Sequence, residues 1–279
     1  MAKIITFGEV MLRLAPHGYY RLIQTDDLEA TYGGAEANVA VSLANYGEDV
    51  AFVTKLPENL IGQAAVNSLR RYGVDTGKIV RGGERVGIYY MEKGASQRGS
   101  LVIYDRKYSA MQQAQSGDFD WKKIFRGAKW FHFTGITPAL SPEVAKICLE
   151  ACKAAKANKM TVSCDLNYRG KLWTKDAAKA TMTKLLKYVD VVIANEDDCA
   201  DVLGIKAANS DTTKGALDEK GYESVAKQVQ KAFKLKMVAI TLRTSISASD
   251  NKWAAMVYDG KQCYHSKEYL IHITDRVGG

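Results

Sequence analysis

The sequence predicts an α/β fold in which a mainly parallel sheet lies between two layers of helices and carries a small β-sheet as a lid. Three observations predict it. Short apolar runs ("KIITF", "VAFVTK", "WFHF", "TVSCDL", "VVIAN" and "MVAITL") alternate with longer segments of helical periodicity, the signature of strands buried on both faces. Two stretches, from about 10 to 31 and from about 81 to 110, break that alternation with strands and glycine turns but no helix. No internal repeat, low-complexity segment or long linker divides the chain, so residues 1–279 read as one domain with the lid inside it.

The elements are justified by local chemistry. In "GYESVAKQVQKAF", Tyr222, Val225, Ala226, Val229 and Phe233 recur at helical spacing. Ser141 before Pro142 and Glu143 supplies an N-cap followed by proline at the first helical position. "WAAMVY" and "QCYHS" flank "DGK", a hairpin signal.

Composition excludes several functions. The chain is 47% hydrophobic and 25% charged, ordinary for a globular protein. Its net charge of +8 comes from lysines spread along helices, as in "KICLEACKAAKANK", rather than from a patch. That pattern speaks against nucleic acid and suits an anionic substrate and nucleotide. The five cysteines include no CxxC pair, and Cys148 and Cys152 read as buried thiols on a helix. "MAKIITFGEVMLRL" carries Gly8 and Glu9 inside its apolar run, so it is neither a signal peptide nor a membrane span. A reducing cytoplasm is expected, with no membrane partner.

Four stretches have the residue types of a site. In "YGGAEANVAVSLANYG", Gly33 and Gly34 permit close approach of a ligand just before a helix. Asn38 on its first turn either reaches a sugar hydroxyl or serves as a cap. The spacing is neither GxGxxG nor a Walker A. "VIYDRKYSA" puts Tyr104 and Arg106 on one face of a strand, where a guanidinium suits a carboxylated sugar or simply pairs with Asp105. "CDLNYRGKLW" places Asp165, Asn167, Arg169 and Lys171 after a buried strand, at the edge where open α/β sheets bind ligands. "IANEDDCADVLG" opens a helix with Asn195, Glu196, Asp197 and Asp198, as a ligand edge or as helix caps.

Taken in order, "GGAEANVAVSLANYG", "VAFVTKLPENLIG", "FHFTGITPAL", "VSCDLNYRGKLW", "VVIANEDDCADVLG" and "DRVGG" resemble the ribokinase-like (PfkB) sugar kinases over essentially the whole chain, most of all the 2-keto-3-deoxygluconate kinases. The resemblance implies a ribokinase-like three-layer α/β/α fold, ATP-dependent phosphorylation of a hydroxymethyl group with Mg²⁺, and a homo-oligomer formed through the β lid. It implies sugar binding by Gly33, Gly34, Asn38, Tyr89, Tyr104, Arg106 and Arg169, with Arg106 and Arg169 meeting the substrate carboxylate. Asn167, Asn195, Thr241, Arg243, Ser245, Gly278 and Gly279 would face the nucleotide. Asp198 would organise the metal through water, in place of the family's glutamate.

The sequence departs from the family at two points. "RTSISASDNKW" stands where many relatives have a glycine-rich stretch touching ATP, and Glu36 stands where a small residue is usual. The ending also matters. Asp275 to Gly279 matches the start of D-x-x-G-x-G-D, whose last aspartate is the family's general base. That base is expected two residues past Gly279, with the C-terminal part of the domain missing and the 279-residue chain inactive. A fructokinase or ribokinase-type kinase is the alternative within the family, and a non-catalytic sugar-binding protein the alternative outside it.

Overall fold

A computed structural model of the chain describes residues 3–207 and 219–275. Six parallel strands form the heart of the fold: β1 (Ile4–Phe7), β4 (Val50–Val53), β9 (Trp130–Thr134), β10 (Thr161–Asp165), β11 (Val191–Ala194) and β12 (Met237–Ser245). They lie in the order β4-β1-β9-β10-β11-β12. β13 (Asp250–Tyr258) continues the sheet antiparallel to β12, and β14 (Cys263–His265) and β15 (Tyr269–His272) both pair with β13.

Side-chain alternation splits the core in two. Ile5, Phe7, Phe131, Phe133, Val162 and Cys164 pack beneath α3 (Trp121–Ile124), α4 (Pro142–Ala157), α5 (Lys175–Leu185) and α7 (Glu219–Phe233). Val50 and Phe52 instead face α1 (Ala35–Asn45) and α2 (Leu60–Arg70). From β1 the chain winds one way to β4, and from β9 it winds the other way to β10. The junction of β1 and β9 is therefore a topological switch point, whose carboxyl edge is the natural ligand crevice.

The helix signals act as expected. The Ser141 hydroxyl accepts the Val144 amide at 3.2 Å with Pro142 at the first helical position. On α7, Tyr222, Val225, Ala226 and Val229 are buried. Cys148 and Cys152 are buried free thiols. Among the described residues no helix is long and apolar enough to cross a membrane.

The lid is a four-stranded sheet of β2 (Met11–Ala15), β3 (Glu29–Gly33), β7 (Ile88–Glu92) and β8 (Leu101–Asp105), in the order β3-β2-β7-β8. Met11, Tyr89 and Met91 are buried on its inner face with Val102 against them, whereas Leu101 and Ile103 point outward.

Three local expectations differ from the structure. "VAFVTK" is two strands, because β1 ends at Phe7 and offers no partner beyond Val53. β5 (Lys55–Leu56) pairs instead with β6 (Val80–Arg81) in a separate small sheet. The first lid segment contains one 3-10 turn at Leu22–Gln24, closed by the Gln24 side chain accepting the Arg21 amide at 3.1 Å. "MVAITL" runs on to Ser245 because β13 pairs with it throughout.

His132 offers a test of this packing. Trp130 Nε1 donates to Ser163 Oγ at 2.8 Å and that hydroxyl shares a hydrogen bond with His132 Nδ1 at 2.9 Å, while Nε2 has no partner among the described residues. Burial lowers the imidazole pKa to about 4. The folded state then binds fewer protons than the unfolded state between about pH 4 and 6.5, so stability falls as pH drops through that window. At about 1.4 kcal/mol per pKa unit the loss approaches about 3 kcal/mol. Urea titrations between pH 4 and 7 are expected to show a shallower slope in His132→Gln; equal slopes would remove His132 as the cause.

Candidate active site

The crevice predicted by the topology is present as a cavity of about 280 Å³ between the carboxyl edge of the main sheet and the inner face of the lid. Each wall comes from a chain segment that has just left a regular element. Glu9 follows β1, Gly34 and Ala35 start α1, Ile136 follows β9, and Tyr168 to Leu172 follow β10. The lid adds Val102, Tyr104 and Arg106.

Gly34 is required by the protein's own backbone. A Cβ there would stand 2.1 Å from the Glu9 carbonyl oxygen, so only glycine lets α1 begin against the end of β1. The expectation that the glycine pair admits a ligand is thus corrected in part: Gly34 borders the cavity, but its close neighbour is Glu9. Gly33 is the last residue of β3, paired with Met11, and does not line the cavity.

Arg106 is buried and held by a carboxylate. Its Nε donates to Glu9 Oε2 at 3.0 Å, its Nη2 to the same oxygen, and Ser109 Oγ donates to Glu9 Oε1. Its guanidinium also lies 5.6 Å from the centre of the Tyr104 ring. The surface pairing with Asp105 does not occur, because Asp105 is bound by Arg85 at 2.9 Å. Lys171 Nζ donates to the Val102 carbonyl at 3.1 Å, crossing from the main sheet to the lid. Arg169 is exposed at the rim, with Nη1 on the Tyr168 carbonyl at 3.1 Å.

The loop after β10 owes its direction to Asn167, which adopts a left-handed φ of 37° that asparagine tolerates better than most residues. Its amide donates to Asp165 Oδ1 at 3.1 Å, an Asx turn. Burial first, and the neighbouring Asp198 second, raise the Asp165 pKa to about 7. Burial also raises that of Asp198, whose Oδ1 accepts the Tyr168 amide at 3.1 Å. Asn195 caps the short helix α6 (Glu196–Asp198) by accepting the Asp198 amide at 2.6 Å.

The profile of the pfkB family carbohydrate kinases matches residues 1–243. This chain belongs to that family. It is similar to the crystal structure of a 2-dehydro-3-deoxygluconokinase from Thermotoga maritima, with 51% identity and a TM-score of 0.94 over 99% of this chain and 82% of that one. A 2-dehydro-3-deoxygalactonokinase of Haloferax volcanii is 37% identical over 202 residues, 72% of this chain and 63% of the relative's length. A 2-dehydro-3-deoxygluconokinase of Bacillus subtilis is 29% identical over 174 residues, 62% of this chain and 53% of the relative. The matched part thus spans less than two thirds of those two relatives.

Of the residues that the PfkB resemblance assigns to the sugar, the cavity brings together Gly34, Tyr104, Arg106 and Arg169. Asn38 does not line it: its Oδ1 turns back to the Gly34 amide at 3.4 Å, and the residue borders a separate cavity with Arg13 and Tyr32. Tyr89 is buried under the lid, 6.2 Å ring to ring from Tyr104, with no partner for its hydroxyl among the described residues. Burial raises its pKa to about 12.

On the nucleotide side, Thr241, Arg243 and Ser245 stand on β12. Arg243 is exposed, 5.5 Å over the Trp253 ring and with Nε 3.3 Å from Asn251 Oδ1. Gly278 and Gly279 lie outside the described residues.

Lys171 lies at the ligand edge as expected, whereas Glu9 and Glu36 were not foreseen as cavity residues. An acid immediately after a buried strand was the available signal for Glu9.

The Glu9–Arg106 pair yields a stability test. Removing one partner of a buried pair leaves an uncompensated charge, at a cost of about 3–5 kcal/mol. Glu9→Ala is expected to lose that much in urea denaturation, and Glu9→Ala combined with Arg106→Met to regain a large part of it. A coupling energy below about 0.5 kcal/mol in the double-mutant cycle would show that the pair is not formed.

Proposed function

We propose that this PfkB-family chain is the sugar-acid kinase body that phosphorylates 2-keto-3-deoxygluconate to 2-keto-3-deoxy-6-phosphogluconate, with ATP and Mg²⁺. The observation that carries the reading is the charge arrangement of the cavity. Arg106, Arg169 and Lys171 all border it, and Arg106 alone of the three is paired with a lining carboxylate, that of Glu9, which suits a carboxylated sugar. The similarity to a protein named 2-dehydro-3-deoxygluconokinase supports the same substrate. The Haloferax relative is named for the galactonate isomer, so the galactonate sugar acid is the competing substrate within this class.

In this reading Arg169, free to swing at the rim, and Arg106, fixed by Glu9, take the carboxylate. Tyr104 presents its ring beside them and Gly34 its backbone, while Asn38 and Tyr89 act from behind the walls. Asp165 and Asp198 fit a water-held Mg²⁺, because two carboxylates whose pKa values are raised by burial gain from a nearby cation. With Mg²⁺ bound, ATP supplies the phosphoryl group and the metal offsets charge on it. Asn167 and Asn195, with Thr241 and Ser245, offer polar groups on that side. The buried free cysteines suit a reducing cytoplasm.

Calorimetry with 2-keto-3-deoxygluconate, its galactonate isomer and fructose tests the substrate class. A hydrogen bond to a charged group contributes about 1.5–3 kcal/mol, so Arg169→Ala is expected to weaken sugar-acid binding roughly ten- to a hundredfold. Fructose bound as tightly as the acids, or an unchanged affinity in Arg169→Ala, would refute it.

We further propose that the lid joins two copies of the chain. Leu101 and Ile103 expose 45% and 49% of their surfaces on β8, an edge strand of the small sheet. Exposed apolar edge strands are usually covered. Light scattering is expected to give a dimer, and Ile103→Asp a monomer; a monomeric parent protein would overturn the lid interface.

A further inference from the structure

Glu36 is the residue that departs from the family's usual small side chain, and neither the sequence reading nor the proposed mechanism uses it. We propose that Glu36 is a positioning residue that sets the spacing of two walls of the sugar cavity. The proposal rests on reading the cavity as the sugar site.

Glu36 lies on the first turn of α1, two residues after the N-cap Gly34, and is 1% exposed. Its Oε1 accepts three hydrogen bonds: from the Thr134 amide at 2.9 Å, Thr134 Oγ1 at 2.8 Å and Thr137 Oγ1 at 2.6 Å. All three donors belong to the end of β9 and the turn after it. One carboxylate oxygen therefore ties the wall made by Gly34 and Ala35 to the wall made by Ile136.

The other oxygen is housed by a third element. A Cβ on Gly8, just past β1, would stand 2.1 Å from Oε2, so the end of β1 is bare where the carboxylate lies. Three chain segments thus meet on one side chain at the switch point between β1 and β9. Burial raises the Glu36 pKa, while the bonds from Thr137 and Thr134 pull it down and the helix N-terminus favours negative charge. A small side chain in its place would leave the Thr134 amide and the two threonine hydroxyl protons without this acceptor at the cavity wall.

The test compares the parent chain with Glu36→Ala, Glu36→Gln, Thr137→Val and Ile147→Ala, the last a destabilised control in the core beneath α4. Two quantities are measured: amide hydrogen exchange at residues 34–36 and 134–137, and calorimetric affinity for 2-keto-3-deoxygluconate. Glu36→Ala is expected to speed exchange in both segments and to raise Kd about tenfold or more. Glu36→Gln, which keeps an acceptor for the threonines, should stay within about threefold, and Ile147→Ala should leave Kd unchanged. A Glu36→Ala protein with parental affinity overturns the proposal, as does an equal loss in Ile147→Ala. If Glu36→Ala does not fold, Thr137→Val decides: a Kd and an exchange pattern equal to the parent's overturn it. If the parent binds no sugar acid, the reading of the cavity fails on its own. Exchange then decides Glu36, with unchanged protection at 134–137 in Glu36→Ala, or in Thr137→Val where Glu36→Ala does not fold, overturning it.

Discussion

The buried pair between Glu9 and Arg106 is the contact on which the cavity depends. Glu9 follows the first strand of the main sheet and Arg106 follows the last strand of the lid, so their contact seats one sheet on the other. Such a pair is stable out of water only when the remaining valences are met. Here Ser109 serves the second Glu9 oxygen, and Gly87 leaves room beside it, since a Cβ there would lie 3.0 Å from Oε1. The Glu9 backbone meanwhile packs against Gly34. One residue thus sets the lid's seat, the start of α1 and the orientation of a guanidinium.

That arrangement divides the cavity's charge by depth. Arg106, the deep cation, is matched by Glu9, while Glu36 is occupied by its three donors. The unmatched cations, Arg169 and Lys171, lie on the exposed rim after β10. Exposed charges attract an incoming anion over roughly a Debye length, about 8 Å at physiological salt. Once water is excluded, the fixed inner guanidinium interacts more strongly than the rim charges did. Rim cations therefore serve encounter, and the fixed arginine serves orientation.

The sheet, the helices and the lid were legible in the sequence because each follows from local pattern. Parallel strands buried on both faces leave continuous apolar runs, as at Val191–Ala194, and α7 carries its stripe at helical spacing. The rim of the site was legible for the same reason, since Arg169 and Lys171 come directly after a buried strand. Its interior was not. Glu9 meets Arg106 across 97 residues, and Glu36 meets Thr134 across 98. No local signal announces such pairs, and a buried acid on a helix's first turn looks the same in sequence as a solvated one. The strand read as "MVAITL" was too short for a different reason: antiparallel pairing with β13 carries it on to Ser245 opposite Asn251, which confines the turn to the residues between Ser245 and Asp250.

The lid meets the main body at further places as well, among them the ion pairs of Arg13 and Lys93 with Asp275 at 3.3 and 3.6 Å. The turn of the β12–β13 hairpin touches it through the Ala248 amide on the Ser96 carbonyl at 2.9 Å and the Ser96 amide on Ser249 Oγ at 3.1 Å. Lys171 reaches the Val102 carbonyl. These bonds are at or near the surface, where water can replace either partner, so each contributes little net stability. The Glu9–Arg106 pair is buried, and breaking it would strand a charge. The lid is thus seated deeply by the buried Glu9–Arg106 pair and tied further out by Arg13 and Lys93, which share the Asp275 carboxylate, and by the surface bonds of Ser96 and Lys171.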